Sequence, residues 1–243
     1  MAFVARNVHS TFSRQQAVYR RQICRCSAEV GVSQVEQLKS DLRRAVANTK
    51  RGKRVTGEQQ REILRKVEAL EAVDPTPNPA RSQLLSGRWS LLYTGPGKEG
   101  DTDWEKRTGG VEGPVLAALR PLSANAITSK GITQVIDTDA GRVENIAEFR
   151  IANAADGYLN VEGTVEPAST SGSEEAVRVD VQFTAFSLKI GALPPLKIPL
   201  GFANPTGWVD TTYLDEDFRI GRGDKGSVFV TARQGARQDS GKG

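Results

Sequence analysis

Residues 177–184 read Val-Arg-Val-Asp-Val-Gln-Phe-Thr, apolar and polar strictly in turn. A side-chain period of two belongs to an extended strand with one dry and one wet face. The same period recurs upstream. Leu159, Val161 and Val165 alternate with Asn160, Glu162, Thr164 and Glu166, while Val143, Ala147, Phe149 and Ile151 oppose Glu144, Glu148 and Arg150. Turn-forming clusters at Thr138-Asp139-Ala140-Gly141 and Asn153-Ala154-Ala155-Asp156-Gly157 separate these runs. About eight such strands with short or moderate connections predict an antiparallel sheet, which resolves its unpaired edges by curling closed. The expected fold is mainly β with N-terminal helices (α+β), an antiparallel up-and-down β-barrel preceded by a helical pair.

The helical pair is read from two stripes. Ser33-Gln34-Val35-Glu36 has the form of a capping box, followed by Val35, Leu38, Leu42 and Val46 at helical spacing. Thr56-Gly57-Glu58-Gln59 repeats the signal ahead of Ile63, Leu64, Val67 and Leu70. Residues 33–72 are therefore expected to form a helical hairpin whose stripes pack on the main domain. The proline run at 74–79 marks a linker over 73–86, the barrel should occupy 87–233, and 234–243 reads as a disordered tail.

The net charge of +4 is misleading. Residues 1–27 carry Arg6, Arg14, Arg20, Arg21 and Arg25 and no acid, and without them 28 basic residues face 29 acidic ones. An Arg-rich, acid-free, Ser/Thr-dotted leader has the composition of an organelle transit peptide and is expected to be unstructured. The basicity is thus an address, and no nucleic-acid partner is expected. The leader also holds Cys24, Cys26 and His9, so the remaining chain has no thiol or imidazole. That removes Cys/His zinc sites, Cys nucleophiles and Ser-His-Asp triads. No metal site, cofactor or catalytic residue is expected. No run approaches the ~20 apolar residues of a membrane-spanning helix.

Near the C-terminus stands Tyr213-Leu214-Asp215-Glu216-Asp217-Phe218-Arg219-Ile220-Gly221-Arg222-Gly223, followed by Gly226 and Val228-Phe229-Val230. Far upstream is Gly87-Arg88-Trp89-Ser90-Leu91-Leu92-Tyr93-Thr94. Together these blocks closely resemble the plastid lipid-associated protein (fibrillin) family, and the resemblance runs from about Val35 to Arg233. It marks Tyr213, Asp215, Asp217, Arg219, Arg222, Gly223 and Gly226 as family-motif positions. It implies a lipocalin-like barrel in the chloroplast or another plastid, at plastoglobules, thylakoids or in the stroma. It also implies hydrophobic partners, isoprenoid, carotenoid-like or other neutral lipids, at a peripheral membrane or lipid-droplet surface.

Closure of an even-stranded barrel sets first and last strands side by side, so Trp89 and Arg233 are expected to stack as a barrel-closing pair. A lipid inside should touch the apolar sides of the alternating runs, at Trp89, Leu91, Tyr93, Phe149, Val161, Val181 and Phe183. Asp215 and Asp217 are expected on the wet face, pairing with Arg219 and Arg222 across the hairpin, with Gly223 and Gly226 supplying positive φ at the turn. Residues 190–208 read as an apolar, acid-free loop. Leu193, Leu196, Ile198, Phe202 and Trp208 are its lipid-surface candidates, with Lys189 and Lys197 facing anionic headgroups. The leading function is non-catalytic lipid binding or coating. The alternatives are an accessory factor docking to a prenyl-lipid enzyme or photosynthetic complex, and an isomerase or cyclase using a buried carboxylate or Tyr93.

Overall fold

A computed structural model describes residues 31–110, 127–152, 155–169, 176–201 and 203–235. The expected leader, Phe202 and most of the C-terminal tail lie outside the described residues. Helix α1 covers residues 31–46, so Ser33 sits inside the helix and does not cap it. Helix α2, Gly57–Glu71, starts as its sequence predicts. Thr56 accepts from the Gln59 backbone N–H at 3.2 Å while the Gln59 side chain accepts from the Thr56 N–H at 3.0 Å. No described helix is long and apolar enough to cross a membrane.

The strands are β1 (Gly87–Pro96), β2 (Ile127–Asp137), β3 (Arg142–Ile151), β4 (Ala155–Pro167), β5 (Arg178–Ile190), β6 (Leu196–Pro199), β7 (Thr206–Leu214), β8 (Phe218–Gly223) and β9 (Ser227–Arg233). All described pairings are antiparallel. The order β4-β3-β2-β1-β9-β8-β7-β5 closes through a β4–β5 pairing, giving a ring of eight strands. β6 is a ninth. It pairs with the second half of β5 (Ala185–Leu188), whereas β7 pairs with the first half (Arg178–Gln182). The apolar stretch 190–208 is therefore no loop. Its middle is a strand and its end opens β7, which satisfies backbone groups that an apolar loop would leave bare.

Two cores lie on opposite faces of the same strands. Outside the ring, Leu42 and Val46 of α1 and Ile63, Leu64, Val67 and Leu70 of α2 pack against Tyr93, Tyr213, Phe218, Ile220, Val228 and Val230. Inside, Trp89, Ile136, Val143, Val165, Val179 and Leu214 pack with Ala80 and Leu85. Ala80 and Leu85 belong to short 3-10 turns at Pro79–Arg81 and Gln83–Leu85. The segment expected as a linker is thus a packed plug at one end of the ring. Thr76 and Asp74 tie it down, since Thr76 Oγ1 donates to the Leu214 carbonyl and Asp74 accepts from the Leu214 N–H.

Candidate functional site

The plugged end is built on Trp89. Its indole N–H donates to the Leu85 carbonyl at 3.0 Å, and the Arg233 guanidinium lies 4.3 Å from its ring centroid. Cross-strand register puts Trp89 opposite Arg233 where β1 meets β9. Arg233 donates to the carbonyls of Leu84, Ser86 and Glu216, so it knits the 3-10 turns to the last strand. Gly87 makes room for this. It sits at φ +146, and a Cβ there would lie 2.1 Å from Arg233 Nη1.

Above Trp89 runs a polar layer that pattern reading misses. Arg219 is buried, with its guanidinium 5.3 Å from the Trp89 centroid on the inward side. It donates from Nη2 to Gln134 Oε1 across the ring and from Nε to Thr231 Oγ1 at 3.4 Å. Gln134 then donates to Asn145 Oδ1 at 2.8 Å. Burial, together with the like charge of Arg233, pushes the Arg219 pKa down to about 10. The expected pairing of Asp215 and Asp217 with Arg219 and Arg222 is overturned. Phe218 and Ile220 face the helices, so Arg219 between them must point into the ring. Arg222 instead forms a fork with Glu71 of α2, both bonds at 2.8 Å.

The two aspartates belong to an external cluster. Lys39 Nζ donates to Asp215 at 2.9 Å and to Asp217 at 2.7 Å, Arg43 donates to Asp217 at 2.8 Å, and the Tyr213 hydroxyl donates to Asp215 at 2.6 Å. Asp215 Oδ1 also accepts the backbone N–H groups of Asp217 and Phe218. Burial raises the Asp215 pKa, but the Tyr213, Lys39 and backbone bonds outweigh it and hold it below the carboxylate range. The cluster fastens α1 to the β7–β8 turn. At the other hairpin, Gly226 has φ +77 as expected, whereas Gly223 owes its identity to Phe229, whose ring lies 3.0 Å from where a Cβ would stand.

Of the residues expected to line the interior, Trp89, Leu91, Phe149, Val161, Val181 and Phe183 occupy inward positions by register. Tyr93 does not. A bulge between Leu91 and Tyr93 reverses the parity of β1, so Tyr93 pairs with Val230 and packs under the helices. Burial there pushes its pKa up to about 12. Phe183 is inward by simple alternation with Val179 and Val181, and a bulge just after it brings Phe186 and Leu188 to the same side. Among the described residues, no Asp or Glu takes an inward position on the ring strands, and no Asp/Glu/His/Cys cluster suits a metal.

Burial is uneven along this interior. Near the plug Trp89, Ile136, Val143, Val179 and Leu214 are buried. Toward the opposite end Leu91, Val161, Val181, Phe183, Phe186 and Leu188 keep partial exposure although they point inward, whereas Phe149 and Leu159 in the same half are buried. At that rim Leu196 and Ile198 pair with Leu188 and Phe186, which sets them on the inner wall, and Leu196 is nonetheless 58% exposed. Leu193, at the tip of the preceding turn, is 65% exposed. Lys189 donates to the Leu193 carbonyl at 2.5 Å and Lys197 pairs with Glu162 at 2.6 Å, so both lysines have partners within the chain. Trp208 faces outward, with the Arg178 guanidinium 3.6 Å from its ring and paired with Asp210.

A closed antiparallel ring, sealed at one end by an indole–guanidinium stack and apolar toward the other, is a lipocalin-like architecture. Residues 36–232 match the PAP_fibrillin family, and the chain belongs to that family. It is 31% identical over 250 aligned positions to plastid lipid-associated protein 3, chloroplastic, of Brassica campestris, covering 86% of this chain and 64% of that protein. It is 30% identical to plastoglobulin-1, chloroplastic, of Pisum sativum, again over 86% of this chain and 64% of the relative. It is 29% identical to the chromoplast-specific carotenoid-associated protein of Cucumis sativus, over 84% of this chain and 70% of the relative. The chain thus spans somewhat less than two thirds of the first two relatives. No solved structure matches it significantly.

Proposed function

We propose that this chain is a non-catalytic plastid protein that holds an apolar lipid, isoprenoid or other neutral, inside its ring and works at the surface of plastoglobules or thylakoids. The observation that carries this reading is a strip of inward apolar side chains, Leu91, Val161, Phe183, Phe186 and Leu188, that stays partly uncovered above a sealed polar floor, while Phe149 and Leu159 close off the wall beside it. An eight-stranded ring is wide enough either to fill with side chains or to hold one small ligand. Inward residues that remain accessible favour the second. The absence of inward carboxylates among the described residues argues against acid–base chemistry there, and the names of the relatives agree with lipid association.

The full chain purified from a lipid-rich host should carry a lipid near one-to-one by mass spectrometry. Phe183→Glu should lower that occupancy at least about tenfold, because an unpaired carboxylate in an apolar site costs several kcal/mol. A folded Phe183→Glu protein with undiminished lipid would refute the enclosed-ligand reading.

Contact with a lipid surface is proposed to run through the rim at Leu193 and Leu196, both exposed and apolar. With a near-neutral charge beyond the leader, general electrostatics supply little attraction. Leu193→Asp/Leu196→Asp should reduce flotation with plastid-lipid droplets several-fold while thermal unfolding is unchanged. Equal flotation of the double mutant and the wild type would remove the rim as the point of attachment.

A further inference from the structure

One wall of the ring carries polar groups that burial leaves incompletely satisfied. Thr94, Phe229, Gly221 and Thr211 form a single transverse row across β1, β9, β8 and β7. The next row toward the plug is Leu91, Thr231, Arg219 and Leu214. Thr94 Oγ1 and Thr211 Oγ1 are buried and have no hydrogen-bond partner. Arg219, beside them, is 6% exposed, and its two side-chain bonds go to the neutral oxygens of Gln134 and Thr231. A guanidinium has five N–H donors and does not give up its charge in a protein. Buried charges are ordinarily paired. Among the described residues Arg219 has no acidic partner, and the charged neighbour that acts on it is Arg233, of the same sign.

Beyond β7 the ring continues into β5 and β4, where Val161, Val181, Phe183 and Phe186 offer an apolar, partly accessible surface. The interior is therefore two-sided, with a cation and spare hydroxyls on β7-β8-β9-β1 and hydrocarbon on β4-β5. We propose that Arg219 receives the carboxylate of a single-chain acidic lipid whose hydrocarbon tail lies along β4 and β5 toward the mouth.

The head group is argued from donors and charge. Of the two guanidinium groups against Trp89, Arg233 is committed to three backbone carbonyls, so Arg219 is the one that remains to be neutralised. One planar fork matches one planar monoanion, whereas a phosphate dianion would remain half compensated. Thr94 and Thr211 stand one row nearer the mouth, where their hydroxyls can donate to the same carboxylate. The inference rests on the lipid-holding reading above and extends it from neutral lipids to acidic ones.

The test uses the full chain and two fluorescent probes, cis-parinaric acid and its methyl ester, which share a tail and differ in charge. Wild type should bind the acid about tenfold more tightly than the ester, equivalent to about 1.4 kcal/mol. Arg219→Gln should bind both alike, at the level of the ester. Arg178→Gln, which removes an outward guanidinium, should keep the full preference. If wild type binds acid and ester equally, the head-group site is wrong and the lipid-holding ring stands. If it binds neither, both readings fall. Preference retained in Arg219→Gln would also overturn the assignment. Should Arg219→Gln fail to fold, Arg219→Lys decides: it keeps the charge but loses the fork, so the preference should narrow, and an unaltered preference counts against the proposal.

Discussion

Trp89→Ala is expected to destabilise the protein by about 3–5 kcal/mol, the range for removing a fully buried large aromatic. The residue is inaccessible to solvent, its N–H is bonded to the Leu85 carbonyl, and two guanidinium groups lie within 5.3 Å of its ring. Loss of the indole would leave Arg219 and Arg233 closer to bare mutual repulsion. The double mutant Trp89→Ala/Arg233→Ala should therefore lose less than the sum of the single losses, with a coupling of about 1 kcal/mol for the stack. Urea unfolding of the four proteins reads this directly. Strictly additive losses would mean that the contact contributes nothing of its own.

Lys39→Met should cost about 3 kcal/mol, the lower end for breaking a largely buried ion pair. Lys39 has a side chain 6% exposed between Asp215 and Asp217, themselves 16% and 29% exposed. The replacement leaves two neighbouring carboxylates with Arg43 alone. The pH dependence follows from the lowered Asp215 pKa. A carboxyl whose folded pKa lies below its unfolded value contributes in full above the ordinary carboxylate range, and that contribution is lost as the pH falls through the folded value. Wild type should thus shed this increment of stability on acidification. In Lys39→Met the acid limb should be shallower, since Asp215 keeps its Tyr213 and backbone bonds but loses its cation. Parallel pH curves for the two proteins would show that the ammonium does not govern the cluster.

What could be read in advance was whatever has a local period. The alternation in β3, β4 and β5 shows which residues face inward, and the Thr56–Gln59 box marks the start of α2. At Tyr93 the local period ceases to report the inner face. One extra residue after Leu91 turns the rest of β1 over, and nothing in Leu91-Leu92-Tyr93 announces it, because all three are apolar. Arg219 shows the second limit. β8 is covered on both faces, by helices outside and by the ring within, so its apolar residues could not be taken to mark the inner side. Asp215 and Asp217 show the third. Their cations lie on α1, far away in sequence, and charge pairing at that separation has no local signature. The packing of the proline segment has no signature of this kind, because composition speaks of turns and is silent on what the turns cover.

Closure of the ring through β1 and β9 has a consequence for how the chain folds. In a chain that enters its compartment N-terminus first, the first strand of the ring must wait for the last, and until Arg233 is in place the floor around Trp89 is open to water. During that interval β1 presents an unpaired edge with apolar side chains, the kind of surface that recruits other chains. The two helices are complete before β1 appears, and the face they cover in the native fold includes Tyr93. The order of elements along the chain thus gives the waiting strand a cover of its own, ready before the exposed edge exists.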